Sequence, residues 1–516
     1  MSLMPHGDLA QLAAVIGGLG AAAMLLSRTR AQLLAGLAVT AIGEATLAAA
    51  LIPGVDLKLL VSPASHAAAL VAGVLLVGAG AVALARYPAI VPVALLVAAP
   101  FRISVSIGAQ KAYLLVPLYI VLGAAYLALL FRALRRDVGK PLPGLLALPA
   151  GTFVALAGLS LLWTRDTRQG TIELLFFLFP FSALVVAVAR SPYRSWHPRA
   201  LATTLVALAG LFSAVALFQR LTHGHLLAGD VARANAYTTY FRVTSLFKDP
   251  SIFGRHVVIA IAVLLVAVWL GGIGFWAGTA LIAFHWAGLL FSYSQSSFVA
   301  LFAVGVAVSY ALGGPKLRRV LLIGGAAFVL AGAAFVAATA VNDSARQATS
   351  GRTRLARVTW VVFTNHPFVG VGIGGQPQAS KDEAKTQLSA KRDRSHTTPL
   401  TVGAELGLLG LLAYAALLAG ATRLLVLLTR LNRALGLGAS AVFLALFVHS
   451  LFYSGFFEDP IVWGVMALAA WAWVALPRET GTPSGPGKPS QLSVPAQDGA
   501  PRRTAAQLQH RAPLAD

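Results

Sequence analysis

Apolar runs of about 18 to 24 residues follow one another almost end to end in this chain, separated by short polar turns. Stretches such as Ala67 to Ala85 and Val320 to Val341 are apolar on every side of a helix, so no face of them can be left to water. Backbone N–H and C=O groups in hydrocarbon have no water to bond, and a helix satisfies them within one segment. The chain therefore reads as an all-α polytopic membrane protein. Of its 516 residues, 58% are hydrophobic and 11% charged, which excludes an ordinary soluble domain of this length.

Fifteen apolar segments are visible, the first at 9–26 and the last at 459–476. Two of them, 87–100 and 297–312, are short for a bilayer core of about 30 Å, so about 12 to 15 true crossings are expected. Lys and Arg gather at consistent turns: Arg28 and Arg30; Arg132, Arg135, Arg136 and Lys140; Arg190, Arg194 and Arg199; Lys316, Arg318 and Arg319; Arg423, Arg430 and Arg433. Short basic loops are retained on the cytoplasmic side, which orients the chain. The expected organisation is a transmembrane domain over 1–476, a first outer loop at 218–253, a second and catalytic outer loop at 342–400, and a cytoplasmic tail at 477–516.

That tail is rich in Pro, Gly, Ser and Gln, cannot build a core and is expected to be disordered. The first cations follow the first apolar stretch instead of preceding it, so no cleavable signal is expected and the first segment stays as an anchor. Cysteine is absent, which removes disulfides and thiolate sites. The net charge of +22 comes from residues scattered over the loops without a nucleic-acid module, so the lipid bilayer is the expected partner and nucleic acid is not.

The second outer loop departs from this charge logic, with nine Lys and Arg against four Asp and Glu on the side where orientation does not need cations. Arginine's planar fork suits phosphate or pyrophosphate; a solvated basic face is the plain alternative. From Arg352 to Thr364 the loop reads RTRLARVTWVVFT, with Leu355, Val358, Thr359, Val362 and Phe363 at three- and four-residue spacing. This predicts an amphipathic helix at the membrane surface, Trp360 at headgroup level and Arg352, Arg354 and Arg357 along its polar margins. For Arg354, snorkelling onto lipid headgroups is preferred.

His366-Pro367 stops that helix, and FVGVGIGG, Phe368 to Gly375, follows. Gly370, Gly372 and Gly375 spell GxGxxG without the βαβ context of a dinucleotide site, so they read as a tight turn of close approach. His396 stands just before the next span, where neutral imidazole is a common general base and an interface histidine the plain alternative. Glu405 lies in the first turns of that span, where a carboxylate favours a helix N-terminus. The first outer loop holds Arg220, His223, His225, Arg233 and Arg242, and a Lys-Asp-Pro turn then leads to Arg255. His223 and His225 lack further ligands at metal spacing, so no metal is expected there. Glu44, Glu173, His285 and His449 fall within spans, and helix–helix hydrogen bonds are their leading reading.

The runs HPFVGVGIGG and SHTTPLTVGAELGLLG resemble the C-terminal signature of the O-antigen ligase and polymerase superfamily, a Gly-x-Gly turn, then His-Asn, then a Glu-Leu-Gly helix start. LLWTRDTRQGTIELL from Leu161, RVTSLFKDPSIFG from Arg242 and HSLFYSGFFEDPIVW from His449 are similar to further family segments, so the resemblance covers roughly residues 90 to 475. Two departures stand out: Ser294-Gln295-Ser296-Ser297 where many members have Ser-Arg, and His396-Thr397 in place of His-Asn.

The resemblance implies a GT-C-like fold and transfer of a glycan from an undecaprenyl-diphosphate carrier to an acceptor hydroxyl, at the extracytoplasmic face of a bacterial inner membrane, without metal, nucleotide sugar or other cofactor. The acceptor is a glycan, glycolipid or glycoprotein, and ligase, polymerase and protein transferase stay open. On this reading Arg242 and Arg352 hold the diphosphate, Arg255 and Arg357 assist, and His396 takes the acceptor's proton. Glu405, Gly370 and Gly372 support them, and direct displacement inverts the anomeric centre. A flippase or transporter of lipid-linked saccharides is the rival class; it should place charges along a path between two matching halves, whereas no internal repeat is visible here and the cations concentrate at one face.

Overall fold

The long apolar runs become helices almost without exception. The computed structural model describes residues 5–51, 64–107, 110–224, 231–232, 235, 237, 240–340, 352–383 and 395–477. The expectations for His225, Arg233, Arg346, residues 384–394 and the tail beyond Pro477 lie outside the described residues.

The helices run in the order α1 (Pro5–Leu26), α2 (Arg30–Leu51), α3 (Ala64–Arg86), α4 (Val91–Ala98), α5 (Val116–Leu134), α6 (Gly144–Ser160), α7 (Thr167–Glu173), α8 (Phe179–Ala189) and α9 (His197–Thr222). The second half continues with α10 (Pro250–Trp269), α11 (Phe275–Leu290), α12 (Gln295–Leu312), α13 (Pro315–Ala340), α14 (Arg352–Asn365), α15 (Gln376–Glu383), α16 (Thr398–Leu431), α17 (Arg433–Ser450) and α18 (Pro460–Ala475). One short antiparallel hairpin, β1 (Ile103–Ile107) with β2 (Gln110–Leu114), is the exception to an all-helical fold among the described residues. Among these residues eleven helices are long and apolar enough to cross a membrane, and three shorter apolar ones accompany them. This is the polytopic all-α protein expected, and Val74, Leu75 and Trp276 stand exposed as lipid-facing side chains do.

Two helix starts share one local device. Asp249 before Pro250 and Asp459 before Pro460 cap α10 and α18: each side chain accepts from a backbone N–H two residues on, Ser251 at 2.6 Å and Ile461 at 2.9 Å. Proline at the first helical position has no N–H to leave unmet, so Asp-Pro sets both boundaries from sequence alone.

Three of the basic turns, at 27–30, 132–140 and 190, meet at one end of the bundle. The buried Arg190 donates to the Ser27 carbonyl at 2.6 Å and to the Val138 carbonyl at 2.8 Å; Arg30 donates to the Ala133 carbonyl at 2.8 Å. Lys140 reaches the Val474 carbonyl at 3.1 Å. From there α1 and α6 lead to the other end, where Gln11 donates to the Leu162 carbonyl at 3.3 Å. Within the spans His285 stands 3.2 Å from the Val206 carbonyl and His449 3.1 Å from Ser296 Oγ, the helix–helix bonds expected of them.

Candidate functional site

Helix α16 breaks at Gly407, where φ is +64° and ψ −158°, a conformation that glycine alone adopts at low cost. The break leaves backbone groups without helical partners, and Pro367 with the turn Phe368–Gly375 takes them up. Val371 N–H donates to the Ala404 carbonyl at 2.9 Å, Gly372 N–H to the Glu405 carbonyl at 2.8 Å, and Leu408 N–H to the Pro367 carbonyl at 2.7 Å. Irregular backbone next to lipid needs this mutual satisfaction.

The contact is close enough to demand glycine: a Cβ on Gly370 would lie 2.3 Å from the Glu405 carbonyl carbon, and one on Gly407 2.3 Å from that of Phe368. The far edge of the turn docks on residues 160–165, with Ile373 N–H donating to Ser160 Oγ at 3.1 Å and Thr164 Oγ1 to the Ile373 carbonyl at 2.7 Å. Gly407→Ala is expected to cost about 3 kcal/mol of stability, read as a lower melting temperature of purified protein in detergent. The control is Gly78→Ala, where the added Cβ meets nothing within 4 Å. Equal melting of the two variants would remove the interlock.

Helix α14 covers this turn. Its Leu355, Val358, Thr359 and Val362 are buried and Trp360 is exposed, the amphipathic pattern expected from the spacing. That apolar face packs on protein: Val362 joins Val371, Ala379 and Ala404 in a small cluster of its own, with Phe363 against it. At its C-terminal end His366 Nε2 lies 2.8 Å from Glu383 Oε1 and Asn365 donates to Glu383 Oε2 at 3.0 Å, tying α14 to α15.

Buried Gln376, at the start of α15, donates to Thr359 Oγ1 at 3.2 Å and accepts from Ser395 N–H at 3.0 Å. Ser395 is thereby held in the interior while its neighbour His396 is exposed, just before α16 begins.

A cavity of about 70 Å³ lies beside the kink, lined by Glu173, Glu405, Glu458, Thr398, Phe177 and Phe457 among others. Sequence reasoning reads Glu405 as a partner of the helix N-terminus; the structure buries it on this wall. Immediately after Glu173 the chain makes one wide π-type turn, Leu174–Leu178, which carries Phe177 and Leu178 to the same wall. Phe457 stacks on Phe153 with ring centroids 4.3 Å apart.

Next to Glu458, Asp459 meets Arg255 Nε at 2.9 Å, with both side chains buried. The contact is an ion pair by distance, not an aligned hydrogen bond. Asp249 accepts from the Tyr453 hydroxyl at 3.2 Å. Burial, reinforced by the Asp249 carboxylate, raises the Tyr453 pKa, so the phenol keeps its proton and serves as donor. The segment 451–459 is thus anchored twice on the first turns of α10.

Arg242 heads a separate built turn. Gln219, buried on α9, accepts from Thr244 N–H at 3.1 Å and Ser245 N–H at 2.8 Å, and Ser245 adopts a left-handed φ of 54°. Arg242 Nε donates to the Ser292 carbonyl at 3.2 Å.

The structure therefore brings Arg255, Glu405, Gly370 and Gly372 to one end of the bundle with the 395–401 segment. Arg242 is not brought to the cavity, whose lining contains no residue of 218–253. Arg357 is exposed on α14; Arg352 opens that helix by its backbone, and its side chain lies outside the described residues. Gln376, Gln219, Tyr453, Asp249 and Asp459 were not singled out from sequence, although the two Asp-Pro pairs carry a readable capping signal. Among the described residues no group of three or more His, Asp or Glu side chains is placed to hold a metal ion.

Residues 277–415 match the family described as O-antigen ligase. That match supports the O-antigen ligase and polymerase superfamily. It supports O-antigen ligase-like glycan transfer in general, by a membrane glycosyltransferase-type enzyme. No curated protein matches the chain. The stretch shared with the O-antigen ligase family runs from α11 through the glycine turn and His396 into the kinked α16; Arg242, Arg255 and the 451–459 segment fall outside it.

Proposed function

We propose that the protein transfers a glycan from an undecaprenyl-diphosphate carrier to an acceptor hydroxyl at the extracytoplasmic face of a bacterial cytoplasmic membrane. The observation that carries this reading is the convergence, at the end of the bundle away from the basic turns, of the Arg255–Asp459 pair, the carboxylate-lined cavity and the tethered segment preceding α16. His396 accepts the proton of the acceptor hydroxyl, whose oxygen attacks the anomeric carbon as the bond to the diphosphate breaks. Negative charge then grows on the departing phosphate, and the guanidinium groups of Arg242, Arg255, Arg352 and Arg357 stabilise it without a metal ion. Direct displacement inverts the anomeric centre.

A second, apolar cavity of about 490 Å³ favours a lipid-linked donor. It starts at Pro460 and Ile461, beside Asp459, and extends past Val465 and Leu468 to Leu435 and Arg199, with walls suited to an isoprenoid chain. The test is purified protein with an undecaprenyl-diphosphate glycan and candidate acceptors. A ladder of products indicates a polymerase and a single shifted band a ligase, lipid or protein according to the acceptor. Carrier crossing proteoliposomes with no new glycosidic bond would replace this reading by the flippase. Arg352→Ala and Arg242→Ala are expected to weaken donor binding about tenfold to a hundredfold, the range for a charged hydrogen bond, with chelators leaving the rate unchanged.

A further inference from the structure

The cavity beside the kink presents three carboxylates, Glu173, Glu405 and Glu458, to one small space. Such a wall repels a diphosphate, so its ligand differs from the group assigned to the arginines. Thr398 lines the same space, is only 4% exposed, and its hydroxyl has no hydrogen-bond partner among the described residues. Buried hydroxyls are nearly always satisfied, because an unmet one loses its solvation without return, so this one points to a ligand that supplies the partner.

The remaining walls narrow the chemistry. Phe177 and Phe457 offer apolar aromatic surface to C–H groups, while carboxylates accept from hydroxyls. A water-sized group needs about 10 to 15 Å³ on this scale. About 70 Å³ therefore admits several such groups in a cluster, the hydroxyl edge of a ring, and not an extended chain. Position favours the acceptor over the donor, because Thr398 lies in the first turn of α16, two residues beyond His396.

We propose that this cavity holds the hydroxyl-bearing edge of a pyranose ring of the acceptor, with Glu173, Glu405 and Glu458 accepting from its hydroxyls and Thr398 bonding another, so that one further hydroxyl is presented to His396. The proposal rests on the glycosyl-transfer reading above and names its second substrate site.

Saturation-transfer NMR on the full chain in nanodiscs, with methyl glycopyranosides of glucose, galactose, mannose and rhamnose as probes, tests it. At least one glycoside should bind; Thr398→Val should weaken that binding about tenfold, as loss of one hydrogen bond does, and Thr398→Ser should restore it. Glu405→Gln should weaken it too, and binding of undecaprenyl diphosphate should stay unchanged in all three variants, which also reports that they are folded. No glycoside binding, equal binding by Thr398→Val, or loss of undecaprenyl diphosphate binding in that variant would each overturn the acceptor site. Transfer that proceeds with an acceptor KM unmoved by Thr398→Val sinks the cavity alone. Glycoside binding through Thr398 without any transfer from a lipid-linked donor sinks the glycosyl-transfer reading instead.

Discussion

Replacing His396 with alanine is expected to slow glycan transfer about a hundredfold to ten-thousandfold while donor affinity stays within about twofold. A general base acts only as the proton moves, so its removal falls on the chemical step and leaves ground-state binding of the carrier intact. The position favours that role. Ser395 is anchored through Gln376, so the backbone delivering His396 is fixed, while the histidine itself is exposed and reachable by a substrate. Single-turnover rates with labelled donor, beside a direct binding measurement, separate the two effects. An unchanged single-turnover rate in His396→Ala would take the base assignment away from this residue.

The second large effect concerns stability. Asp459→Ala leaves the Arg255 guanidinium buried without its counter-charge and also strips the cap from α18. Breaking one half of a buried ion pair costs about 3 to 5 kcal/mol, and the lost cap adds about 1 kcal/mol, so this variant should melt far below the parent protein or fail to accumulate. Replacing both partners by leucine removes the unpaired charge, and Arg255→Leu with Asp459→Leu should recover most of the stability. The double variant then separates structure from function. Restored melting with weakened binding of undecaprenyl diphosphate supports Arg255 as a donor contact; restored melting with full transfer would make the pair purely architectural.

Glu405 shows how far local reasoning reaches. Its place near the start of a span is legible as a helix-terminus carboxylate, yet its neighbours Glu173 and Glu458 come from distant parts of the chain and no spacing rule links them. Arg255 and Asp459 likewise meet across about two hundred positions, though each is visible separately beside an Asp-Pro start. The glycine turn is an intermediate case. Its residues announce close approach, but that the partner is a second glycine break inside α16 follows only from the hydrogen bonds between them.

Sequence alone determined the helical membrane-protein class, most span positions and the amphipathic α14, and it carries the capping signal of the two Asp-Pro helix starts. These depend on hydropathy, capping and periodicity, which act within a few turns of chain and are therefore written locally. Tertiary structure alone decided which side chains share a cavity, which arginine is neutralised by a buried aspartate, and that Arg242 does not line the space beside the kink. Those outcomes depend on helices packed side by side from remote segments, where a contact exists only once the bundle has closed.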